Sequence, residues 1–470
     1  MTQAKIYKYV GLSAGVMALG VLVYFSVTLA FLILGVIALI VFFYFYTQAA
    51  FYILVAYLPF QLALNLSPDV DLLSGRVLIL LLAAVWLLKA LKEKRFSWPK
   101  DRPSWALTLF FLLALISVLV AQNQTWSGRK LLVFLSVFPL FFLTKFLIRD
   151  FRQTQNVFWI VIGTALASAL IALAQFGLQF VLGTDAVFNF WAQNIVPPFL
   201  GNSFGQAVLQ NPSWFVEIGG RTIMRAIGLF PDPHMLAFFL GMTLPLVLAM
   251  LFGTKSRKKL LFCIFCVLLA ALALTFSRGG YVGVATSFLV MLVLGWRRLG
   301  VGAKAFVSSV FFILAIAVLL TPVYGRLFSS FDLSEGSNSG RLAIWAQSLA
   351  QVKNNPILGV GLGNYPLSIN FAQDYRSAVT SHNLFLDILV ETGIFGLLSW
   401  LWFLGGTAKR FLDTARQNTG FIWAAAVGLL GSFVYFAAHS FFETAIFNPT
   451  ILALLMLLAG LSGAFEETKK

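Results

Sequence analysis

Charge is scarce in this chain. Only 11% of its 470 residues are Asp, Glu, Lys or Arg, against 60% hydrophobic, and a soluble domain cannot bury that much apolar surface under so thin a charged cover. Cysteine is scarcer still. Cys263 and Cys266 are the whole supply, so there is no disulfide framework, and their C-x-x-C spacing lacks the second pair or nearby histidine that would complete a zinc site. Packing within an apolar helix is the simpler reading of both. Also missing are a Walker motif, a Ser-His-Asp arrangement and a basic-aromatic surface for nucleic acid. Gly359-x-Gly361-x-Gly363 has neither the preceding strand nor the later acid of a dinucleotide site. Asp69-x-Asp71 is the sort of pair that can hold a divalent metal, but it is set aside in favour of a metal-free, cofactor-free reading.

What is present is apolar runs of 18 residues and more. Lipid-exposed backbone must satisfy its own hydrogen bonds, which excludes open sheets, and these runs do not alternate as barrel strands do. The fold class is therefore all-α, a polytopic transmembrane protein. The uncharged stretch from about Tyr9 to Leu66 fits three helices, broken near Ser26 to Thr28 and near Thr47-Gln48. Further spans are expected at about 76–92, 104–121, 130–148, 157–182, 234–253, 260–276, 279–296, 304–321, 384–406, 420–441 and 446–463, about fourteen in all, with twelve or thirteen also compatible. This divides the chain into N-terminal spans (1–182), a first long outer loop (183–233), central spans (234–321), a second outer loop (322–382) and C-terminal spans (383–470). No cleavable leader is evident after Lys5 and Lys8.

The net charge of +16 becomes a topology signal once it is placed. About 23 of the 33 Lys and Arg fall in the alternate loops that include both termini, which puts that side in the cytoplasm and the two long loops outside, with no nucleic-acid partner implied. The first outer loop carries Trp191, Pro197-Pro198-Phe199, Trp214 and Phe215, a composition suited to a cap at the membrane surface.

The candidate chemistry lies on the outer side. Arg278, between two apolar spans with almost no loop, is pinned at the interface, and Arg221 and Arg225 precede Gly228-Leu229-Phe230-Pro231-Asp232-Pro233-His234. An ionisable group so placed is expensive without a partner, and an arginine fork suits phosphate. His382, in Ser381-His382-Asn383, can serve as a general base. Asp387 and Glu391 follow it on one helical face and orient it, partner an arginine or equally form a structural ion pair; His439 and Glu443 share that spacing but read as packing residues, and His234 reads equally as a cap or as chemistry. Ahead of His382, Ser339 is expected to cap an amphipathic helix with Leu342, Trp345, Leu349 and Val352 on one face, ended by Pro356.

Four segments in order, Arg225-x-x-Gly228 to Pro233-His234-x-Leu236-Ala237, Ser277-Arg278-Gly279-Gly280, Ser339-Gly340-Arg341-x-x-x-Trp345 to Gly363, and His382-Asn383-x-x-Leu386 to Glu391-x-Gly393-x-x-Gly396, resemble the O-antigen ligase and polymerase superfamily of bacterial envelopes. The resemblance covers residues 220 to 400. It implies a metal-independent membrane glycosyltransferase of the C type, in the inner membrane, that moves a glycan from undecaprenyl pyrophosphate to an acceptor hydroxyl on the outer face. It places Arg225 and Arg278 where the family binds pyrophosphate and His382 at the catalytic position, with Arg221, Arg341, Asn383, Glu391 and His234 as further substrate-binding candidates. Asp232-Pro233-His234 departs from an asparagine-proline-asparagine run more usual there. A ligase acting on a lipid-core acceptor is preferred over a polymerase of lipid-linked repeats. A secondary transporter, with related halves and charge at mid-membrane, fits less well.

Overall fold

The computed structural model describes residues 26–67, 70–210, 213–254, 257–298, 300–302, 304–305, 308–309, 336–370 and 380–464. In chain order, α1 (Val27–Phe45) and α2 (Thr47–Tyr57) meet at Tyr46, and a hairpin of β1 (Ala63–Ser67) and β2 (Val70–Leu73) follows. Next come α3 (Ser74–Lys92), α4 (Arg102–Ser117), α5 (Gln124–Val137), α6 (Pro139–Leu147) and α7 (Phe151–Leu182). The expected first outer loop folds into α8 (Thr184–Phe190), a π-helical turn (Trp191–Ile195), α9 (Val196–Leu200), α10 (Asn202–Gln210) and a second hairpin, β3 (Phe215–Ile218) with β4 (Arg221–Met224). Then follow α11 (Pro233–Gly253), α12 (Lys258–Ala273), α13 (Arg278–Gly295), α14 (Gly336–Asn354), α15 (Tyr365–Ile369), α16 (Leu384–Gln417), α17 (Gly420–His439) and α18 (Pro449–Gly460).

The protein is all-α and polytopic. Among the described residues eight helices are long and apolar enough to cross a bilayer, nine if the bent pair α1 and α2 is one span, and α18 is a shorter apolar helix. The span expected at 260–276 is the 16-residue α12; the one expected before residue 26 lies outside the described residues, as does the one at 304–321 apart from residues 304–305 and 308–309. Cys263 and Cys266 are free thiols on the outward face of α12.

Of the described residues, 26–53 and 81–97 form one unit and the remainder a second, which contains the candidate site. Within the first, Lys89 Nζ donates to the Tyr44 carbonyl at 3.2 Å. Within the second, helix starts are written plainly in the sequence. Asp101, Asn123, Asp150, Asp232, Ser277, Asn383 and Asn448 each accept a backbone N–H from the first turn of the helix that follows, satisfying donors that have no partner within the helix.

The centre of this unit is α11, whose residues from Met235 to Leu251 are all buried; a helix apolar all round is one enclosed by others. Tyr435 of α17 lies so close to Gly241 that a Cβ there would overlap its ring. Its hydroxyl donates to the Ala237 carbonyl at 2.6 Å, and Ser432 Oγ donates to the Met242 carbonyl, also at 2.6 Å. Small residues and hydroxyl bonds of this kind join helices where lipid gives them no hydrophobic reason to associate.

One loop-to-helix junction positions much of the site. The α16 helix continues on both sides of Gly393, yet that residue sits at φ 70°, a kink inside the helix. Into that kink folds the glycine-rich passage after α14: Val360 N donates to Val390 O (2.8 Å), Gly361 N to Glu391 O (3.1 Å) and Ile394 N to Pro356 O (2.9 Å). A Cβ on Gly393 would run into the Ile357 carbonyl. The spaced glycines are thus a docking surface for a helix break, and Asn364 fastens the far end: its Oδ1 accepts from Asn123 N at 2.6 Å and its Nδ2 donates to Ser127 Oγ at 2.9 Å.

α14 differs from expectation in start and phase. The helix is described from Gly336 on, so Ser339 lies within it and not at its cap, and Leu342 and Leu349 are exposed (41% and 51%). The inward face is Trp345, whose Nε1 donates to the Ser381 carbonyl at 2.9 Å, and Ser348, 2.7 Å from the Tyr365 hydroxyl. Polar anchoring to the chain ahead of His382 outweighs the leucine stripe in setting the helix rotation.

Candidate active site

The starts of α11, α13 and α16 and the ends of α12 and α17 meet at one end of the second unit, and the sequence candidates are distributed among them. Arg225 is 8% exposed. Its Nε donates to the Thr275 carbonyl at 2.7 Å and an Nη to the Ser213 carbonyl at 3.0 Å, while Ala226 N donates to Leu274 O at 3.0 Å. The segment after β4 that carries Arg225 is therefore bonded to the turn that leads into Arg278. Two glutamines of α7 hold that segment from the other side. Gln175 bonds the Arg225 carbonyl and Ile227 N (3.1 and 2.9 Å), and Gln179 bonds both the N–H and the carbonyl of Met224 (2.7 and 2.8 Å).

Arg278 is the first residue of α13, directly after its cap Ser277. Ser277 Oγ lies 3.0 Å from His234 Nδ1 and 3.2 Å from His439 Nε2, and His439 Nδ1 lies 3.1 Å from the Tyr435 hydroxyl. The proton positions in this chain follow from its end. Tyr435 spends its one hydrogen on Ala237, so His439 must donate from Nδ1; with His439 neutral, Nε2 accepts from Ser277, and Ser277 in turn accepts from His234 Nδ1–H. His234 is thereby held with a proton on Nδ1.

His382 sits at φ 51°, a left-handed conformation that costs a non-glycine residue about 1–2 kcal/mol. Backbone of this kind collects at functional sites. Its Nδ1 is 3.2 Å from both carboxylate oxygens of Glu443. Burial alone would raise the Glu443 carboxyl, but the His382 hydrogen bond, the charges of His234 and His382 and the Thr444 amide overcome it and hold the group down at about 2. Asp232, the cap of α11, goes the other way: burial and then repulsion from Glu443 push it up to about 6, against the His234 and Met235 amides and Arg225.

Asp387 does not touch His382. Its Oδ1 accepts from Ser381 N at 3.0 Å and its Oδ2 from Thr444 Oγ1, so it ties together the two residues that flank His382 and Glu443. Glu391 pairs with Lys130, Oε1 to Nζ 2.7 Å, not with an arginine. Asn383 Oδ1 is occupied in capping α16, by Phe385 N and Leu386 N. Arg221 is exposed at the two-glycine turn of the β3–β4 hairpin, apart from this cluster. The side chain of Arg341 lies outside the described residues, as does Asp69; Asp71 Oδ2 accepts from Ser203 Oγ and Phe204 N at the start of α10 (2.6 and 2.8 Å).

Glu443, Asp232, Asp387 and Glu391 all border one cavity of about 530 Å³, whose other walls include Arg76, Arg129 and Lys130 of α3 and α5 and, from the 183–233 segment, Phe199, Leu200 and Phe204. The sequence reading missed Glu443 as a histidine partner and the three N-terminal cations. The signal for them was slight: each lies at the end of an apolar run, with no neighbour in sequence that names its partner.

Residues 263–401 match the family described as O-antigen ligase. Over 202 residues the chain is 30% identical to the O-antigen polymerase of Salmonella muenchen, a match covering 42% of this chain and 49% of that protein. Over 183 residues it is 26% identical to the exopolysaccharide production protein ExoQ of Rhizobium meliloti (strain 1021), covering 35% of this chain and 42% of that one. The chain thus spans about half the length, or less, of these curated relatives.

Proposed function

From a chain that carries an O-antigen ligase family domain over residues 263–401 on a multi-pass membrane scaffold, we infer a glycosyltransferase that moves a glycan from undecaprenyl pyrophosphate to a saccharide hydroxyl at the outer face of the inner membrane. The observation that carries this reading is the pairing of His382 with an ionised Glu443, of which Glu443 lines the cavity while His382, Arg225 and Arg278 are not among its lining residues, at the same helix ends where the segment carrying Arg225 is bonded to the turn before Arg278.

The chemistry follows from charge and proton position. Glu443 accepts from Nδ1–H of His382, which leaves Nε2 as the basic nitrogen. Nε2 takes the acceptor's hydroxyl proton as that oxygen attacks the anomeric carbon. The bond from that carbon to the pyrophosphate oxygen breaks, its electron pair leaves with the lipid pyrophosphate, and configuration inverts. Arg225 and Arg278 neutralise the charge that develops on the leaving group, the larger electrostatic demand of the reaction. The donor is already activated, so the step needs no nucleotide.

The acceptor is either a glycolipid core, as in a ligase, or a second lipid-linked repeat, as in a polymerase. The sequence reading and the description of the matched family lean to the first; the name of one relative, an O-antigen polymerase, supports the second. Purified protein given lipid-linked repeat units alone should build a ladder of longer glycans if it is a polymerase, and should transfer only after a core glycolipid is added if it is a ligase. No transfer under either condition would end the glycosyltransferase reading.

A further inference from the structure

The cavity has a wall that the transfer chemistry does not use. Glu391 is among the residues lining the cavity but is only 1% exposed: Oε1 binds Lys130, and Oε2 is buried with no side-chain hydrogen-bond partner. An unsatisfied buried carboxylate oxygen is costly, at about 1–3 kcal/mol or more. The structure around it is rigid. Lys130 is fixed between Glu391 and the face of Phe447, its ammonium 3.7 Å from the ring centroid. Glu391 is set by the Gly393 kink and the glycine passage docked into it, and Lys130 by α5, whose first turn is bonded to Asn364. Trp126, one turn before Lys130, and Tyr365, whose phenol burial pushes up to about 12 despite its bond to Ser348, line the same wall.

A fixed carboxylate acceptor with an adjacent ammonium donor and aromatic side chains suits a ligand that offers neighbouring hydroxyls on a partly apolar ring. The volume falls within the range of about 300–1,000 Å³ usual for small-molecule sites. We propose that Glu391, Lys130, Trp126 and Tyr365 form a pyranose-binding subsite that positions the acceptor saccharide, with Glu391 Oε2 accepting from a ring hydroxyl. This deepens the proposed function and rests on it for the word acceptor. The sugar subsite itself does not depend on transfer chemistry. A site built to hydrogen-bond a hydroxyl rejects the deoxy analogue strongly, since the buried oxygen is then left unpaired.

The test is saturation-transfer NMR on the full chain in lipid nanodiscs, with millimolar methyl glycosides of glucose, galactose, mannose and rhamnose as probes. Wild type should give a signal with at least one of them. The double variant Lys130→Met with Glu391→Gln removes both charges together, leaving neither ion buried alone, and should cut that signal at least fivefold. If that variant fails to purify as folded protein, Trp126→Ala reads the same wall without disturbing the ion pair. No signal from wild type, or an unchanged signal in the folded variants, overturns the subsite. His382→Ala separates the two readings: it should bind the glycoside as wild type does while losing transfer, so a His382→Ala protein that still transfers glycan refutes the base and leaves the sugar site to its own result.

Discussion

Replacing Glu443 with Gln isolates the partner of the proposed base. The substitution keeps the volume and leaves the Thr444–Asp387 bond, which tethers this loop to α16, so the variant should fold and insert. What it removes is an ionised acceptor 3.2 Å from His382 Nδ1 through either oxygen. A hydrogen bond to a charged group contributes about 1.5–3 kcal/mol, and an amide can also turn its NH₂ toward Nδ1 and favour the wrong tautomer. A loss of about 3 kcal/mol in the transition state corresponds to roughly a hundredfold in rate, and general-base catalysis as a whole to about 10²–10⁴. The expected result is a kcat lower by roughly tenfold to a hundredfold with the KM for lipid-linked donor little changed. The low-pH limb of the kcat/KM profile should also move down by about one unit, because a carboxylate at this range favours the imidazolium. Single-turnover transfer from lipid-linked repeats between pH 5 and 9 reads both. A Glu443→Gln protein with wild-type kcat and an unmoved limb would refute the pairing as catalytic and reduce it to packing.

Alanine at His382, Arg225 or Arg278 should each abolish transfer, more than a hundredfold, while detergent-solubilised protein still elutes as a folded species. Asp232→Asn keeps the helix cap but removes a carboxyl pushed up to about 6. Because that pKa is raised, its proton stabilises the fold at low pH and the contribution is lost as pH rises from about 4 through 6; wild type should therefore lose more thermal stability than Asp232→Asn between pH 5 and 7.5. Gln175→Leu leaves the Arg225 carbonyl and Ile227 N buried without partners, so a drop in thermal midpoint equivalent to about 2–4 kcal/mol and a lower transfer rate are expected. Gly393→Ala should disrupt folding, since φ is 70° and the Ile357 carbonyl occupies the space, whereas Gly405→Ala, with open space around its Cβ, should purify normally; comparing yields of monodisperse protein checks both.

The apolar runs and the punctuating glycines were legible because each is a local pattern, whereas Ser339, expected to cap a helix, lies inside α14. Polar pairing was not. Glu443 meets His382 from 61 residues away, and Lys130 meets Glu391 across 261; no window of sequence relates them. The spacing of Asp387 and Glu391 left open whether they orient His382, partner an arginine or form a structural ion pair; α16 aims Asp387 at Thr444 and gives Glu391 the ion pair, with Lys130. The rotation of α14 was misread for a related reason: Leu342 and Leu349 look like a core stripe, yet in a membrane protein exposed leucine carries no penalty where lipid lies outside, so apolarity does not say which face turns inward.

The segment matched to the family ends at residue 401 and begins at 263, so it holds His382, Arg278 and Glu391 but neither Glu443, Arg225 nor Lys130. Any chimera cut at those borders would separate each of the first three from its neighbour in the host and ask a foreign helix to supply it. Exchange of specificity between relatives therefore has to move α5, the segment carrying Arg225 and the loop after α17 as one set, and single-segment swaps should yield inserted but inert protein.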